Sequence, residues 1–291
     1  MMYLCSQNEA IRMKKVLFIL AIAMCMGAIT ALGMDRVKKT VPLPQFNKVM
    51  IKAGITVNYA QGSKYECIII ASPKDMENVK VEVKDQQLNI SVESEKKKIN
   101  GVTFSSAKLS DEVVVKVTSP ELKVAESLGS GDFIATTDIK TNDIRFKVTG
   151  SGDIKLRKVT ADWLILTISG SGDIDLQQAN AEKINASVAG SGDIDIDNVA
   201  SVCKKAELSV AGSGNIDATF SDCHELKCSV AGSGEIELKG KVVNYSSSIA
   251  GSGEIKKNEL VITGNSSESN TNCRSILRKR PRTVNNINAR P

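Results

Sequence analysis

Between residues 129 and 256 apolar side chains fall on every second position, on both sides of a recurring Gly-Ser-Gly triplet. Counting the first glycine as position zero, position −2 holds Val148, Ile168, Val188, Val210, Val230 and Ile249. Positions −4 and −6 carry a similar set, including Phe146, Leu166, Leu208, Ile144, Leu164 and Ile184. After the triplet, position +4 is Phe133, Ile154, Ile174, Ile194, Ile216, Ile236 and Ile255. Position +6 continues with Leu156, Leu176, Ile196, Ala218 and Leu238. A two-residue period is strand alternation, with one side turned inward in every copy.

The first glycines are Gly129, Gly150, Gly170, Gly190, Gly212, Gly232 and Gly251, spaced by 21, 20, 20, 22, 20 and 19 residues. Each copy therefore predicts one strand before the triplet and one after it, with a connection of six or seven residues to the next copy. So short a pair cannot bury its own apolar face. Stacking the copies in register as parallel strands lets each one hydrogen-bond to the next and lines up the inward residues. Glycine suits the corners, where positive φ or close backbone approach leaves no room for side chains. The predicted fold is all-β: a parallel β-helix, or β-solenoid, of about 20-residue coils across residues 121–263.

Residues 34–120 are β-rich without the repeat. Val79–Val83, Leu88–Val92 and Val113–Val117 read as strands, with Asp85-Gln86-Gln87 as a hairpin turn between the first two. An uncovered solenoid end invites sheet-to-sheet pairing, so this part is expected to open and cap the same body. Residues 1–33 read as an N-terminal extension and export signal. Met13-Lys14-Lys15 is basic and can itself be the start in place of Met1, Val16–Thr30 is apolar, and cleavage is expected after Gly33. The apolar run is short for a bilayer span, so the mature chain is expected to have no transmembrane segment. Residues 264–291 are polar, then basic at Arg278-Lys279-Arg280-Pro281-Arg282, and read as a disordered tail.

This order resembles the head GIN domain family, labelled autotransporter adhesins and common in Bacteroidetes. The resemblance rests on Phe46-Asn47-Lys48-Val49, Gly54-Ile55-Thr56-Val57, Leu88–Val92, Ser119-Pro120-Glu121-Leu122 and then serial Gly-Ser-Gly-Asp-Ile. It covers about residues 41–263. It implies an exported, right-handed parallel β-helix-like body with no established activity. One feature departs from the family's name: no run of ten-residue alternating strands, as a transmembrane barrel requires, follows Gly264.

Charge changes the picture only by removing a function class. The net charge of +5 is composed of +2 from residues 1–33 and +5 from residues 264–291, which leaves −2 for the body. The basic isoelectric point therefore does not point to nucleic acid.

Candidate chemistry lies mainly on the outward positions. Position +3 is Asp132, Asp153, Asp173, Asp193, Asn215, Glu235 and Glu254, and position +5 adds Asp175, Asp195, Asp217 and Glu237. Stacked coils turn these into two carboxylate rows. Asp153, Asp173 and Asp193 are candidates for a weak Ca²⁺ site, because acidic, glycine-rich corners bind calcium in other solenoids. A solvated face is the preferred reading and needs no cation: two charges about 4.8 Å apart in water repel by only about 0.9 kcal/mol. No other cofactor is indicated.

A carbohydrate-active enzyme would use such stacked acids beside Lys155 and Arg157, but the short connections predict no cleft. His224 lies in a connection, and the corner serines, Ser151 to Ser233, have no partner base, so no catalytic residue is assigned. Cys203, Cys223, His224 and Cys228 are poorly spaced for zinc. Cys203 and Cys223 each stand nine residues before a corner glycine and are candidates for a disulfide between coils, with Cys67, Cys228 and Cys273 unpaired. The expected function is a non-enzymatic binding module of the cell envelope or surface. It would be exported to the periplasm, outer-membrane surface or medium, with a glycan, envelope polymer or protein as partner. A passive envelope protein is the alternative.

Overall fold

The computed structural model describes residues 36–270, apart from 53, 94, 100, 101, 107 and 108. The export signal and its cleavage point after Gly33, the basic run 278–282 and Cys273 lie outside the described residues. Among the described residues, no helix is long and apolar enough to cross a membrane.

The N-terminal part contains β1 (Val37–Pro42), β2 (Lys48–Ile51), β3 (Thr56–Gln61), β4 (Glu66–Ala71), α1 (Pro73–Asn78), β5 (Val79–Lys84), β6 (Gln87–Val92), β7 (Glu95–Ile99), β8 (Val102–Ser106) and β9 (Val114–Ser119). The β5–β6 turn is narrower than the sequence suggests: Asp85 and Gln86 both take positive φ, and Gln87 already pairs with Lys84. Two consecutive left-handed residues match the strand twist of a tight hairpin. β7 and β8 form a separate antiparallel pair.

The repeat contains β10 (Val124–Gly129), β11 (Phe133–Ala135), β12 (Ile139–Lys140), β13 (Asp143–Gly150), β14 (Ile154–Gly170), β15 (Ile174–Gly190), β16 (Asp193–Val199), β17 (Lys205–Gly212), β18 (Asn215–Gly232), β19 (Glu235–Gly251), β20 (Glu254–Ile262) and β21 (Ser266–Asn270). All its rungs pair in parallel, and each corner glycine stacks on the next, from Gly129 on Gly150 through to Gly232 on Gly251. The solenoid has about seven turns.

The expected connections are themselves strands. In β14 and β15, Lys158 to Ala161 pair with Gln178 to Ala181, residue by residue. The inward alternation breaks twice per coil, where two successive residues point outward: Arg157-Lys158, then Asp162-Trp163. With the glycine corner this makes three short faces. The third is filled by small residues such as Val159, Ala161, Ala179 and Ala181.

The repeat does not begin at Gly129. β2 and β3 form an earlier coil, with Lys48 beside Val124 and Val57 beside Phe133. Beneath it, β6 and β9 are still parallel to β2 and β3. The next strands out reverse direction: β5 lies antiparallel to β6, and β4 antiparallel to β9, with β1 beyond it. One apolar core runs from Phe46 to Tyr245. Asp75 locks this end. Its buried carboxylate accepts from the Ser110 and Asp111 backbone N–H groups at 2.9 and 3.1 Å and from Ser72 Oγ at 2.8 Å. Those donors, Ser110 first, hold it below the usual carboxylate range.

At the other end the stack runs past the expected boundary at 263. β21 pairs with β19 from Tyr245↔Ser266 to Ile249↔Asn270, although its five residues are all exposed. A backbone ladder needs no apolar side chains, which is why composition hid this strand.

The glycines are required by the coil beneath. A Cβ on Gly150, Gly170, Gly190 or Gly212 would sit 2.1–2.3 Å from the carbonyl oxygen of the preceding corner glycine. At Gly172, whose φ is ordinary, it would sit 2.1 Å from the Gly152 oxygen. At Gly129 it would meet nothing within 4 Å among the described residues, although φ is +138°. Gly172→Ala should therefore cost at least about 3 kcal/mol or prevent folding, whereas Gly129→Ala should cost about 1–2 kcal/mol from backbone strain alone. Urea denaturation midpoints compare the two, and equal losses would contradict stacking as the reason for glycine.

Candidate functional site

The two outward acid rows turn out to differ. Along position +3, each Asp carboxylate reaches to the next coil and accepts its backbone N–H. Asp132 Oδ1 accepts from Asp153 N at 3.0 Å, Asp153 Oδ1 from Asp173 N at 3.1 Å, and Asp173 Oδ1 from Asp193 N at 2.9 Å. Asp193 Oδ1 then takes both Asn215 N at 2.8 Å and Asn215 Nδ2 at 3.0 Å. Where the row changes to glutamate, the donor changes acceptor: Glu235 N and Glu254 N go to the Gly214 and Gly234 carbonyls. This row is half-buried and structural rather than a freely solvated face.

The structure therefore gives Asp153, Asp173 and Asp193 a definite use. They lie in file along the stack, with one oxygen of each engaged by a backbone donor. Among the described residues, no three His, Cys, Asp or Glu side chains gather as a metal ion would need.

The +5 row faces an open groove of about 530 Å³, lined in part by Asp175, Asp195, Asp197, Asp217, Glu237 and Lys239. Burial raises Asp175 and Asp217 above the usual carboxylate range, assisted at Asp217 by Glu237 and Glu235. Asp195 is pushed up to about 6, by burial first and then by Asp217, Asp175, Asp193 and Asp173. Glu237 is shifted the other way by its ion pair with Lys239 at 2.8 Å. The same row holds Lys155 before Asp175 and Lys256 after Glu237, so the acid stretch is bounded by cations. Lys256 pairs with Glu235 at 2.6 Å.

Arg157 forms an ion pair with Asp138, at 2.7 Å, on the corner beyond the groove. His224 is exposed. The corner serines are exposed, and their N–H groups donate to the preceding glycine carbonyls, Ser151 to Gly129 at 2.8 Å for example. Cys203 and Cys223 come together in the core, Sγ to Sγ 2.9 Å, while Cys67 and Cys228 are buried elsewhere. Sequence reasoning treated both acid rows alike and missed Asp197 and Lys239. The distinguishing signal was present: +3 stays Asp or Asn wherever its side chain bonds the backbone, whereas +5 changes sign at both ends.

The family model described as "Putative auto-transporter adhesin, head GIN domain" matches residues 45–203 and 201–272. Similar solved structures include a "putative adhesin" from Parabacteroides merdae, with 21% identity, a TM-score of 0.63 and coverage of 81% of this chain and 97% of that one. A "putative lipid binding protein" from Parabacteroides distasonis has 22% identity, a TM-score of 0.62 and coverage of 81% and 97%. A "putative adhesin" from Bacteroides fragilis has 22% identity, a TM-score of 0.58 and coverage of 82% and 98%. At these identities the likeness is one of fold. No curated protein matches the chain.

Two measurements separate the rows. Asp173→Ala leaves the Asp193 N–H without its partner and should cost about 1–2 kcal/mol, whereas Asp175→Ala should cost nothing or stabilise. Equal effects would contradict the division. The second is pH. A carboxyl whose folded pKa is raised binds its proton more tightly in the folded state, so its stabilisation is present at low pH and lost as pH rises through about 6. The melting temperature should rise between pH 7 and pH 5, and Asp195→Asn should flatten that slope and melt higher at pH 7. Below about pH 4 protonation of Asp75 acts in the opposite sense. A slope unchanged in the Asn variant would show that Asp195 is not its source.

Proposed function

This chain belongs to the family described as "Putative auto-transporter adhesin, head GIN domain", and from that premise we propose that it is a non-enzymatic binding module exported to the cell envelope or surface. The observation that carries this reading is the register of the outward rows. From Lys155 to Lys256 the +5 side chains of successive coils stand in register at the rung spacing, about 4.8 Å, and from Asp193 to Glu254 the +3 side chains do the same. A regular array of weak polar contacts suits an extended or repeating partner, which gains from many sites engaged at once. Partners of that kind are a glycan, an envelope polymer or a surface protein. The interior supports the same reading, because the inward ladders are packed apolar side chains. Recognition therefore falls to the outer faces.

The groove over Asp175, Asp195 and Asp217 is the proposed contact face. The full chain should bind at least one member of a panel of purified envelope polymers, glycans and surface proteins. Asp175→Lys combined with Asp217→Lys should weaken that binding at least tenfold, with the melting curve retained. Absence of binding across the panel, together with an altered envelope in a deletion strain, would favour the passive structural alternative. Turnover of a polysaccharide by the purified chain would overturn the non-enzymatic reading.

A further inference from the structure

We propose that Cys203 and Cys223 form a disulfide that latches two successive coils together. The ladder fixes their positions: Lys183 pairs with Lys205, and Lys205 with Glu225. Two residues earlier on each coil, Ala181, Cys203 and Cys223 occupy one slot of the third face, and Val242 follows as the partner of Cys223. Neighbouring coils fill this slot with Ala and Val, whereas these two coils place thiols there. Both side chains point into the core and are buried. Their sulfurs are 2.9 Å apart. The other described cysteines are not in file with a thiol: Cys228 stacks between Leu208 and Ser247, and Cys67 lies on β4.

The location gives the bond a purpose. This is the longest coil, with 22 residues between Gly190 and Gly212. Its extra length is absorbed at residues 200–204, between the end of β16 and the start of β17, where the chain leaves the sheet and Val202 is 48% exposed. The pairing register also shifts beside it, between Ile196 and Val199 and between Phe220 and Cys223. A covalent link here closes a loop of 20 residues across the place where the ladder lapses. Such a link stabilises chiefly by restricting the unfolded chain.

The chemistry balances as thiol–disulfide exchange. One protein thiolate attacks a small-molecule disulfide and expels one thiol. The second protein thiolate then attacks the mixed disulfide and expels the other, so the oxidant is reduced to two thiols. Because both sulfurs are buried, exchange precedes closure of the coils during folding. An oxidising compartment supplies the conditions in the cell, which is one premise shared with the proposed export.

The test supplies its own oxidant, so it stands whether or not the export reading holds. The full chain is refolded in a glutathione–glutathione disulfide buffer, alkylated, and digested without reduction. A Cys203–Cys223 linked peptide, two hydrogens lighter than the sum of its parts, is expected. Both cysteines alkylated, or either linked to Cys67, Cys228 or Cys273, would overturn the proposal. The oxidised chain should also melt roughly 5–10 °C above the same chain refolded with reductant, and the Cys203→Ala, Cys223→Ala double variant should show no such difference. Identical melting of the oxidised and reduced wild-type chain would overturn the latch.

Discussion

The fold depends on one contact: the carbonyl oxygen of each corner glycine, set directly under the backbone of the next corner. At most corners it accepts two donors from the coil above, as Gly129 O does from Ser151 N at 2.8 Å and Gly152 N at 3.1 Å. Those bonds require the backbones to approach so closely that a Cβ has nowhere to go. Glycine at the corner is thus a property of the interface between coils. The first corner in the file, at Gly129, has no such neighbour among the described residues, and the Gly-Ser-Gly triplets end at Gly253. The positions of Gly-Ser-Gly along the chain therefore mark where one coil can be laid on another.

Once the corners are fixed, the rest of the coil follows from register. Corner on corner places Ile154, Ile174, Ile194, Ile216 and Ile236 in one inward ladder. The same register brings each +3 backbone N–H within reach of the preceding +3 side chain. Asp is the right length to accept it, and Asn215 keeps the row by donating back to Asp193. With Asn215 turned back to Asp193, the Glu235 N–H goes to the Gly214 carbonyl; Glu235 is too long to accept in turn, and the Glu254 N–H goes to the Gly234 carbonyl. The +5 row has no backbone partner and stands free at the groove. Two acidic rows two residues apart thus divide labour, one joining coils and the other available for contact.

The period, the corners and the inward set from −6 to +6 were legible in the sequence because one two-residue alternation carries them all. The third face was not. Its inward residues fall nine and eleven positions after the glycine, after a break in parity, and they are small: Val159 and Ala161, Ala179 and Ala181. Weak hydrophobicity with a shifted phase reads as a connection. The polar strand β21 was hidden for the opposite reason, since it pairs through the backbone and buries no side chain. The first coil, from Lys48 to Gln61, lacks the Gly-Ser-Gly corner, although Gly54 stacks near Ser130, its Cβ position 3.2 Å from the hydroxyl oxygen. Of the candidate sites, the meeting of Cys203 and Cys223 was legible from counting alone. The separation of the two acid rows was not, because it depends on where backbone donors lie.

The two kinds of corner differ in what they tolerate. At the glycine corner the coils touch backbone to backbone, so an added residue would push a Cβ into a carbonyl. At the corner before the next face, outward pairs such as Asp162-Trp163 leave the side chains in solvent, and Trp163 is 42% exposed. An insertion there displaces no neighbour. The extra length of the longest coil falls elsewhere, within the third face at residues 200–202 between Val199 and Cys203, and Ile196 and Ala206 still stand on Ala218 and Leu226. The drift in repeat length from 19 to 22 residues thus falls after the second face and within the third, away from the glycine corner, and the glycine file stays straight. That confinement keeps the outward rows of the second face aligned over successive coils, which an array of weak contacts requires.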